Sequence, residues 1–288
     1  MTHHSSTQGI IRDLGDGLLL RSGTVADAQA LADFNARIHG NRETGEPDES
    51  VRGWTLELAT LPHPTFRVSD FTLVEDTRNH KIVSSLCLIP QTWTYAGIPF
   101  GVGRPELVGT LPEYRKRGLV RAQFEVIHQW SVERGHMMQA ITGIPYYYRQ
   151  FGYEMAMDLG GGRTMYPPQL PKLKEGQDEP YRVRPATEGD LAFVAEVYRH
   201  ATRRKLIACP IDDSVWRYEL QGRRADSAHR HEIRIITTQQ GEPVGFLAHR
   251  PRLEHGAFGV GSYELKRGAS WLAVTPSVMR YLAATGQS

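Results

Sequence analysis

Two short segments of the sequence contain the side chains whose chemistry is most specific. The first, PEYRKRGLV (residues 112–120), places Arg115, Lys116 and Arg117 directly before a glycine. Such a cluster is typical of a solvated turn, of a surface that meets nucleic acid or of a loop that binds phosphate. The second, YYYRQFGYE (residues 146–154), is rich in tyrosine and is also typical of a packed aromatic core.

The basic segment lies between a predicted strand and a predicted helix. RPELVGTL (residues 104–111) alternates and then becomes apolar, as a buried strand does. After Gly118, apolar residues recur on one helical face at Leu119, Ala122, Phe124, Val126, Ile127 and Trp130. The segment therefore opens a helix, where backbone N–H groups are unpaired and the helix dipole is positive. Because glycine lets a phosphate approach the backbone, this position favours a pyrophosphate loop over a solvated turn.

Composition and charge narrow the class of protein. The chain has 288 residues, of which 40% are hydrophobic and 23% charged, enough for one large soluble domain or two smaller ones. The net charge of +2, and the acidic residues around the basic segment, argue against nucleic acid and anionic membrane as partners. No apolar run could span a bilayer, and the polar N-terminus lacks a signal-peptide core, so we expect a cytoplasmic protein. Cys87 and Cys209 have no metal-ligand spacing, and we expect no metal.

An internal repeat predicts the organisation of the chain. LRSGTVADAQALADF (residues 20–34) and VRPATEGDLAFVAEV (residues 183–197) share an arginine, a threonine and an aspartate at matching positions. A pattern of two alternating strands also recurs, and LVGTLP (residues 107–112) is echoed by WLAVTP (residues 271–276). The offsets lie between 161 and 164 residues. We therefore predict two copies of one α/β unit.

The repeat and the composition together predict the boundaries. We expect an N-terminal extension over residues 1–17, a first copy over 18–162, a proline-rich linker over 163–180 and a second copy over 181–288. The offset of 164 maps Gly118 onto Leu282, and the counterpart of Tyr148 would fall beyond Ser288. We therefore expect the second copy to lack the basic loop and the aromatic segment. Either it is a reduced structural partner or the chain is part of a longer protein.

The order strand, LPEYRKRGLV, helix, strand, YYYRQFGYE resembles the GNAT N-acetyltransferase superfamily over most of residues 18–160. The family loop R-x-x-G-x-[GA] corresponds to Arg115, Lys116, Arg117, Gly118, Leu119 and Val120; Val120 departs from the usual small residue. The pattern F-Y-x-x-x-G-[FY] corresponds to Tyr147, Tyr148, Gly152 and Tyr153. The tandem layout resembles the enhanced-intracellular-survival type of acetyltransferase.

The resemblance implies a mixed sheet, flanked by helices, that splays between strands at 104–111 and 137–142. The pantetheine arm of acetyl-CoA would lie in the split beside Val108, Gly109 and Thr110, and its pyrophosphate on the amides of residues 115–120. A primary amine, on a small molecule or a lysine, would attack the thioester directly in a ternary complex. Acetyl-CoA is thus the expected cosubstrate.

The family pattern also implies the general acid. Tyr148 matches the tyrosine that protonates the leaving thiolate, and a phenol with a pKa of ~10 can do so at close range. Glu106 shares a strand face with Val108 and Thr110, which makes it a candidate general base if that face lines the cleft. A surface glutamate at a strand start is the alternative.

Two other functions fit the same residues. A non-catalytic acyl-CoA sensor would keep the phosphate-binding loop but would not catalyse transfer. Its binding of acyl-CoA would then be unchanged by Tyr148→Phe. A tandem aminoacyl transferase would use an acyl-tRNA donor, but it requires a broader basic surface than a near-neutral chain offers. A homo-oligomer is compatible with the sequence.

Overall fold

The chain folds into two units, which we call unit 1 and unit 2. The computed structural model describes residues 9–144, 146–157, 162, 164–253 and 257–286. Unit 1 contains the described residues of Met1–Trp93, Ile98–Leu159 and Arg224–His229. Unit 2 contains those of Thr94–Gly97, Gly160–Arg223 and Arg230–Ser288. Residues 1–8 of the predicted extension and Arg163 of the predicted linker lie outside the described residues.

Unit 1 is built on a mixed sheet. Its strands, in both chain order and sheet order, are β1 (Ile10–Asp13), β2 (Leu18–Ser22), β3 (Phe71–Asp76), β4 (Lys81–Tyr95), β5 (Ile98–Thr110) and β6 (His136–Gln139). Strands β1 to β4 pair antiparallel, whereas β5 and β6 pair parallel, and a parallel pair requires a crossover. Residues 10–13, expected in the N-terminal extension, form a strand of this sheet.

Three helices flank the sheet of unit 1. They are α1 (Ala28–His39), α2 (Glu49–Thr60) and α3 (Leu119–Glu133). Asp48 caps α2 by accepting from Ser50 N and Val51 N. Apolar residues of α1 and of the strands, such as Leu31, Phe71 and Leu73, have no exposed surface and form the core.

Strands β5 and β6 separate soon after they meet. Gly101, Val102 and Gly103 pair with β6, and the last contact is a 3.0 Å bond from Ala140 N to Gly103 O. In the described part of the chain, β5 continues to Thr110 without further pairs to β6. The predicted mixed α/β fold is confirmed. The strands predicted at 104–111 and 137–142 are observed at 98–110 and 136–139.

Unit 2 has a smaller sheet with helices on both faces. Its strands β7 (Tyr181–Pro185), β9 (Glu232–Thr238), β10 (Pro243–His249) and β11 (Val260–Leu265) are ordered β11-β10-β9-β7, while β8 (Ile207–Ala208) pairs with Thr94 and Tyr95. Its helices are α4 (Leu191–Thr202), α5 (Asp213–Arg217) and α6 (Trp271–Thr285). Val194 of α4 packs with Ile235 and Phe246, and Val274 of α6 packs with Leu247. Within the described ranges, no helix combines the length and apolar character that crossing a membrane requires.

The predicted match between residues 20–34 and residues 183–197 has a structural counterpart. Arg21 and Asp27 form an ion pair of 2.6 Å, and Arg184 and Asp190 form one of 2.8 Å. Each aspartate also accepts a 2.8 Å bond from the backbone of the threonine three residues earlier. The two segments therefore open their helices with the same capping box.

The predicted match between LVGTLP (residues 107–112) and WLAVTP (residues 271–276) is wrong, because the two segments have different secondary structures. WLAVTP begins α6, whereas LVGTLP belongs largely to a strand and the turn after it. Six residues are too few to separate the two periods, and the buried Val274 and Val278 lie one helical turn apart. The strand that precedes α6 is β11, and the loop between them is KRGAS (residues 266–270). The offset of 164 residues places the counterpart of Gly118 at Leu282, inside α6 and not in a loop, so the loss of the basic loop from the second copy stays a prediction.

Candidate active site

A cavity of about 900 Å³ lies in unit 1 where β5 and β6 diverge. Residues 106–110 of β5 line one side, and Ile141 and Thr142, which follow β6, line it too. Its volume is typical of small-molecule sites, which span ~300–1,000 Å³. All eleven predicted site residues line this one cavity: Glu106, Val108, Gly109, Thr110, Arg115, Lys116, Arg117, Gly118, Leu119, Val120 and Tyr148.

The backbone of the basic loop is shaped to receive an anion. Lys116 has a φ of 61° and Gly118 a φ of 77°, and left-handed residues in a turn gather backbone N–H groups into a concave nest. Gly118 is also the N-cap of α3, so the unpaired amides of the first helical turn lie beside it. A Cβ at Gly118 would meet no atom within 4 Å, which leaves the space above the glycine open. Amides and helix dipole together suit a phosphate group.

The contacts that Arg115 and Arg117 make with the described residues are long. Arg117 Nη2 lies 3.4 Å from Asp16, which is 84% exposed, and the Arg117 guanidinium lies 5.6 Å from the Tyr114 ring centroid. Arg115 Nε lies 3.4 Å from Thr110 O. Exposed pairs of this kind contribute little to stability. The charges of Arg115 and Arg117 are therefore available to a ligand.

Tyr114, which precedes the basic loop, is anchored to the end of β3. Its phenol donates a 2.8 Å hydrogen bond to Asp76 Oδ2. Asp76 also accepts 2.8 and 2.6 Å bonds from Arg78, and these bonds, together with that of Tyr114, hold the pKa of the carboxyl far below its usual range. Asp76 was not among the predicted site residues, because nothing in the local sequence pattern joins it to a tyrosine 38 residues away.

A buried polar network lies under the end of β5. The Ser84 hydroxyl lies 2.7 Å from Gln123 Oε1, 2.8 Å from Thr110 Oγ1 and 2.9 Å from Gly109 O. Gln123 Nε2 donates to Thr72 O at 2.9 Å. Because Ser84 and Gln123 have no exposed surface, these bonds fix the start of α3 relative to β3, β4 and β5. Gln123 was not among the predicted site residues, because the periodicity of α3 indicates only its apolar face.

Tyr148 presents a free phenol to the cavity. Its ring packs against Phe124 and Tyr147, with centroids 5.9 and 5.0 Å away. Among the described residues, its hydroxyl has no hydrogen-bond partner. Burial, followed by the neighbouring Tyr147 and Glu106, raises the pKa of Tyr148 to about 12. The phenol is therefore protonated at neutral pH and can donate to a bound molecule.

The neighbouring tyrosines are placed differently. Tyr153 donates a 2.5 Å hydrogen bond to Gln139 Oε1 and lies 3.2 Å from His128 Nε2. Its hydroxyl is therefore engaged, and burial raises its pKa further than that of Tyr148. Tyr147 lines the cavity, but it is 37% exposed and forms its rim. Within the described residues, the hydroxyls of Tyr147 and Tyr148 are both unengaged, and Tyr148 is the less exposed of the two.

Glu106 lines the cavity from β5 and forms an ion pair with Arg104. Burial raises the pKa of Glu106 above its ordinary value, although Arg104 acts in the opposite direction. A raised pKa makes the carboxylate a better proton acceptor near neutral pH. The next residue, Leu107, is buried and has a φ of 55°, a region that leucine rarely adopts. Such strain concentrates at functional sites.

The chain resembles known proteins in its first half by sequence and along most of its length by fold. Residues 33–156 match the model of the acetyltransferase (GNAT) domain family. No curated protein sequence matches the chain.

Three solved structures share the fold at low sequence identity. A conserved protein from Enterococcus faecalis V583, described as a "probable N-acyltransferase", is 14% identical, with a TM-score of 0.62 over 93% of this chain and 62% of its own. A GCN5-related N-acetyltransferase from Kribbella flavida is 16% identical, with a TM-score of 0.56 over 93% and 61%. Saccharomyces cerevisiae N-myristoyltransferase, solved with myristoyl-CoA, is 11% identical, with a TM-score of 0.65 over 95% and 72%.

At these identities the likeness establishes the fold and nothing more. The chain spans about three fifths of the length of the first two structures. The match to the acetyltransferase (GNAT) domain model spans residues 33–156, which contain the whole of β5, the basic loop and Tyr148, and the chain as a whole is similar in fold to the three solved structures.

Proposed function

We propose that the protein is an N-acyltransferase that moves an acetyl group from acetyl-CoA to a primary amine. The observation that carries the proposal is that the basic loop, the open edge of β5 and Tyr148 all line the cavity of about 900 Å³ in unit 1. The match of residues 33–156 to the acetyltransferase domain supports it.

In this proposal the two halves of the cosubstrate are bound by different parts of the cavity. The pyrophosphate lies on the amides of residues 115–120, with Arg115 and Arg117 nearby to neutralise its charge. The pantetheine arm runs along β5 beside Val108, Gly109 and Thr110. This edge is suited to it, because the described part of β6 leaves these residues unpaired on that side and their backbone groups can bond to amides of the arm.

The transfer itself needs one proton donor and one acceptor. The amine loses a proton to Glu106, directly or through water, and its nitrogen forms a bond to the thioester carbonyl carbon. The carbon–sulfur bond then breaks and coenzyme A leaves as a thiolate. Tyr148, the expected general acid, assists the departure of this thiolate. Because its pKa of about 12 exceeds the ~8.5 of a thiol, it stabilises the departing thiolate mainly as a hydrogen-bond donor, and solvent completes protonation.

The acceptor is proposed as a class. A small-molecule amine or a lysine side chain meets the requirement for a nucleophilic nitrogen, and Glu106 provides a carboxylate that attracts it. The tandem organisation of the enhanced-intracellular-survival type remains part of the proposal, because the capping boxes at Asp27 and Asp190 have the same geometry.

Calorimetric titration with acetyl-CoA tests the binding part of the proposal. We expect the wild-type chain to bind acetyl-CoA in the unit 1 cavity and the double variant Arg117→Glu, Gly118→Asp to bind one equivalent fewer. The matched control is Arg37→Glu, Gly45→Asp: Arg37 is exposed, and Gly45 has a φ of 75° with open space around it. Neither residue lines the cavity.

The catalytic part is tested by thiol release from acetyl-CoA in the presence of a panel of primary amines. Turnover that depends on both the amine and Tyr148 supports the enzyme. Binding of acetyl-CoA without turnover of any amine would instead favour the non-catalytic sensor. A folded wild-type chain that binds no acetyl-CoA would overturn both.

A further inference from the structure

Unit 2 has a basic loop that resembles the one in unit 1 in position and sequence. Lys266, Arg267 and Gly268 follow strand β11 and precede helix α6, as residues 116–118 follow β5 and precede α3. Gly268 has a φ of 86°, close to the 77° of Gly118. The Gly268 position is also open, since a Cβ there would meet no atom within 4 Å.

This loop borders a cavity of about 670 Å³ that lies wholly within unit 2. The opposite wall is helix α4 together with Arg203, the residue after its last turn. Five basic side chains line the cavity, with Glu196 as the carboxylate among its lining residues: Arg199, His200, Arg203, Lys266 and Arg267. The volume suits a small molecule rather than an extended polymer.

The cations of this cavity are not held in ion pairs by the described residues, although Glu196 lines the same cavity. No ion pair joins Arg199, Arg203, Lys266 or Arg267 to any residue in the described part of the chain. The contrast with the adjacent Arg204 is direct, because Arg204 Nη2 lies 2.6 Å from Glu264 Oε2. Four permanent cations around one concave surface raise the local concentration of anions.

The loop of unit 2 differs from that of unit 1 in the residue that caps the following helix. Ser270 Oγ accepts a 3.3 Å bond from Ala273 N and so caps α6, whereas the N-cap of α3 is a glycine without a side chain. A ligand in unit 2 therefore depends on side chains more than on backbone amides. The forked donors of arginine fit phosphate oxygens in pairs.

The cavity also has an apolar wall. Phe193 and Val197 of α4 line it beside the cations. An aromatic ring next to a phosphate-binding cluster matches the two parts of a nucleotide, a planar base and a charged phosphate.

We propose that unit 2 binds the phosphate groups of a nucleotide through Arg199, Arg203, Lys266 and Arg267, with the base against the partly exposed Phe193. The nucleotide can be free or can be the adenosine part of a coenzyme A molecule, because both offer the same chemistry. This site is separate from the cavity of unit 1, and it does not depend on the function proposed there.

Calorimetric titration with ADP in 150 mM NaCl tests the site in the full-length Arg117→Glu, Gly118→Asp variant, whose unit 1 loop is disabled. We expect this variant to bind one equivalent of ADP. Adding Lys266→Glu and Arg267→Glu should weaken that binding about 100-fold, since two charge-assisted contacts are lost. The matched control adds Lys172→Glu and Lys174→Glu, two exposed basic residues of unit 2 outside the cavity, and should change nothing.

A second variant guards against misfolding. Arg203→Glu changes an exposed residue on the other wall of the cavity, and it should weaken ADP binding about tenfold while the near-ultraviolet circular dichroism spectrum stays unchanged. If the natural ligand is the adenosine part of coenzyme A, coenzyme A should compete with ADP for the Arg117→Glu, Gly118→Asp variant. If coenzyme A does not compete, the ligand is a free nucleotide. The proposal fails if the background variant binds no ADP, or if the control weakens binding as much as the loop variant.

Discussion

The phenol of Tyr114 donates a 2.8 Å hydrogen bond to the carboxylate of Asp76, and this bond joins the start of the basic loop to the end of β3. Asp76 is almost fully buried and is ionised, since Arg78 and Tyr114 both stabilise its charge. A hydrogen bond to an ionised acceptor is about twice as strong as one between neutral groups. The position of the loop therefore depends on a residue that does not line the cavity.

Tyr114→Phe should weaken acetyl-CoA binding without removing any cation from the loop. Losing a hydrogen bond to a charged group costs about 1.5–3 kcal/mol, part of which appears as lower stability and part as a less ordered loop. We expect the dissociation constant measured by calorimetry to rise severalfold. Tyr166→Phe, at a side chain that is 64% exposed, is the control. An unchanged affinity would mean that Tyr114 does not position the loop.

Gly118→Ala should separate the effect of the site from the effect of backbone strain. Gly118 and Gly135 flank α3, both have a positive φ of 77° or 67°, and both have open space around them. Alanine in this region costs about 1 kcal/mol, so both variants should lose similar stability in chemical denaturation. Only Gly118→Ala should weaken acetyl-CoA binding. Equal affinities for the two variants would argue against phosphate contact at Gly118.

Tyr148→Phe should lower turnover while leaving acetyl-CoA affinity nearly unchanged. A positioned general acid contributes about 100-fold or more, and the hydroxyl of Tyr148 has no partner among the described residues whose loss would disturb the fold. Because the pKa is raised to about 12, the phenol stays protonated, and the rate should not fall through its titration up to about pH 10. Tyr147→Phe and Tyr153→Phe are matched controls from the same segment. A larger effect at either position would assign the acid to that residue instead.

The parts of the site that follow from local sequence were predictable, and those that depend on distant contacts were not. The periodicity after Gly118 predicts α3, and the strand before it predicts β5, so the position of the basic loop follows. The hydrogen bond from Tyr114 to Asp76 joins residues 38 positions apart, and the one from Ser84 to Gln123 joins residues 39 positions apart. Contacts at such separations cannot be predicted from a local sequence pattern. The start of α6 was predicted as the counterpart of a strand for a local reason. The match of WLAVTP to LVGTLP covers only six residues, whereas the helical period of α6 continues well beyond them.

Gln123→Leu should be one of the more damaging changes in α3. The side chain is fully buried and bridges Ser84 to Thr72, so leucine removes a partner from each of these groups inside the core. Each unsatisfied buried polar group costs about 1–3 kcal/mol. Gln129→Leu, on the exposed face of the same helix, makes only a 3.0 Å contact to Glu133 and should change the free energy of unfolding by less than about 0.5 kcal/mol. Similar values from urea denaturation for the two variants would show that the network does not stabilise the fold.

Glu106→Gln should remove the acidic limb of the pH–rate profile. Burial raises the pKa of Glu106, so the wild-type carboxylate takes up its proton at a higher pH than an exposed glutamate would. A base must be ionised, and the wild-type rate should therefore fall as the pH decreases through that raised pKa. The glutamine variant should be slower and should lack this dependence, while Glu113→Gln on the exposed turn should keep it.

The free energy of unfolding should also depend on the protonation of Glu106. Because the folded state holds the Glu106 proton more tightly than the unfolded state, the wild type should gain stability relative to Glu106→Gln as the pH falls through the raised pKa. That gain should be complete below the unfolded pKa of ~4.3 and absent well above the folded one. A stability difference that does not vary with pH would show that the pKa of Glu106 is not raised. A rate limb that persists in Glu106→Gln would assign the base to another group.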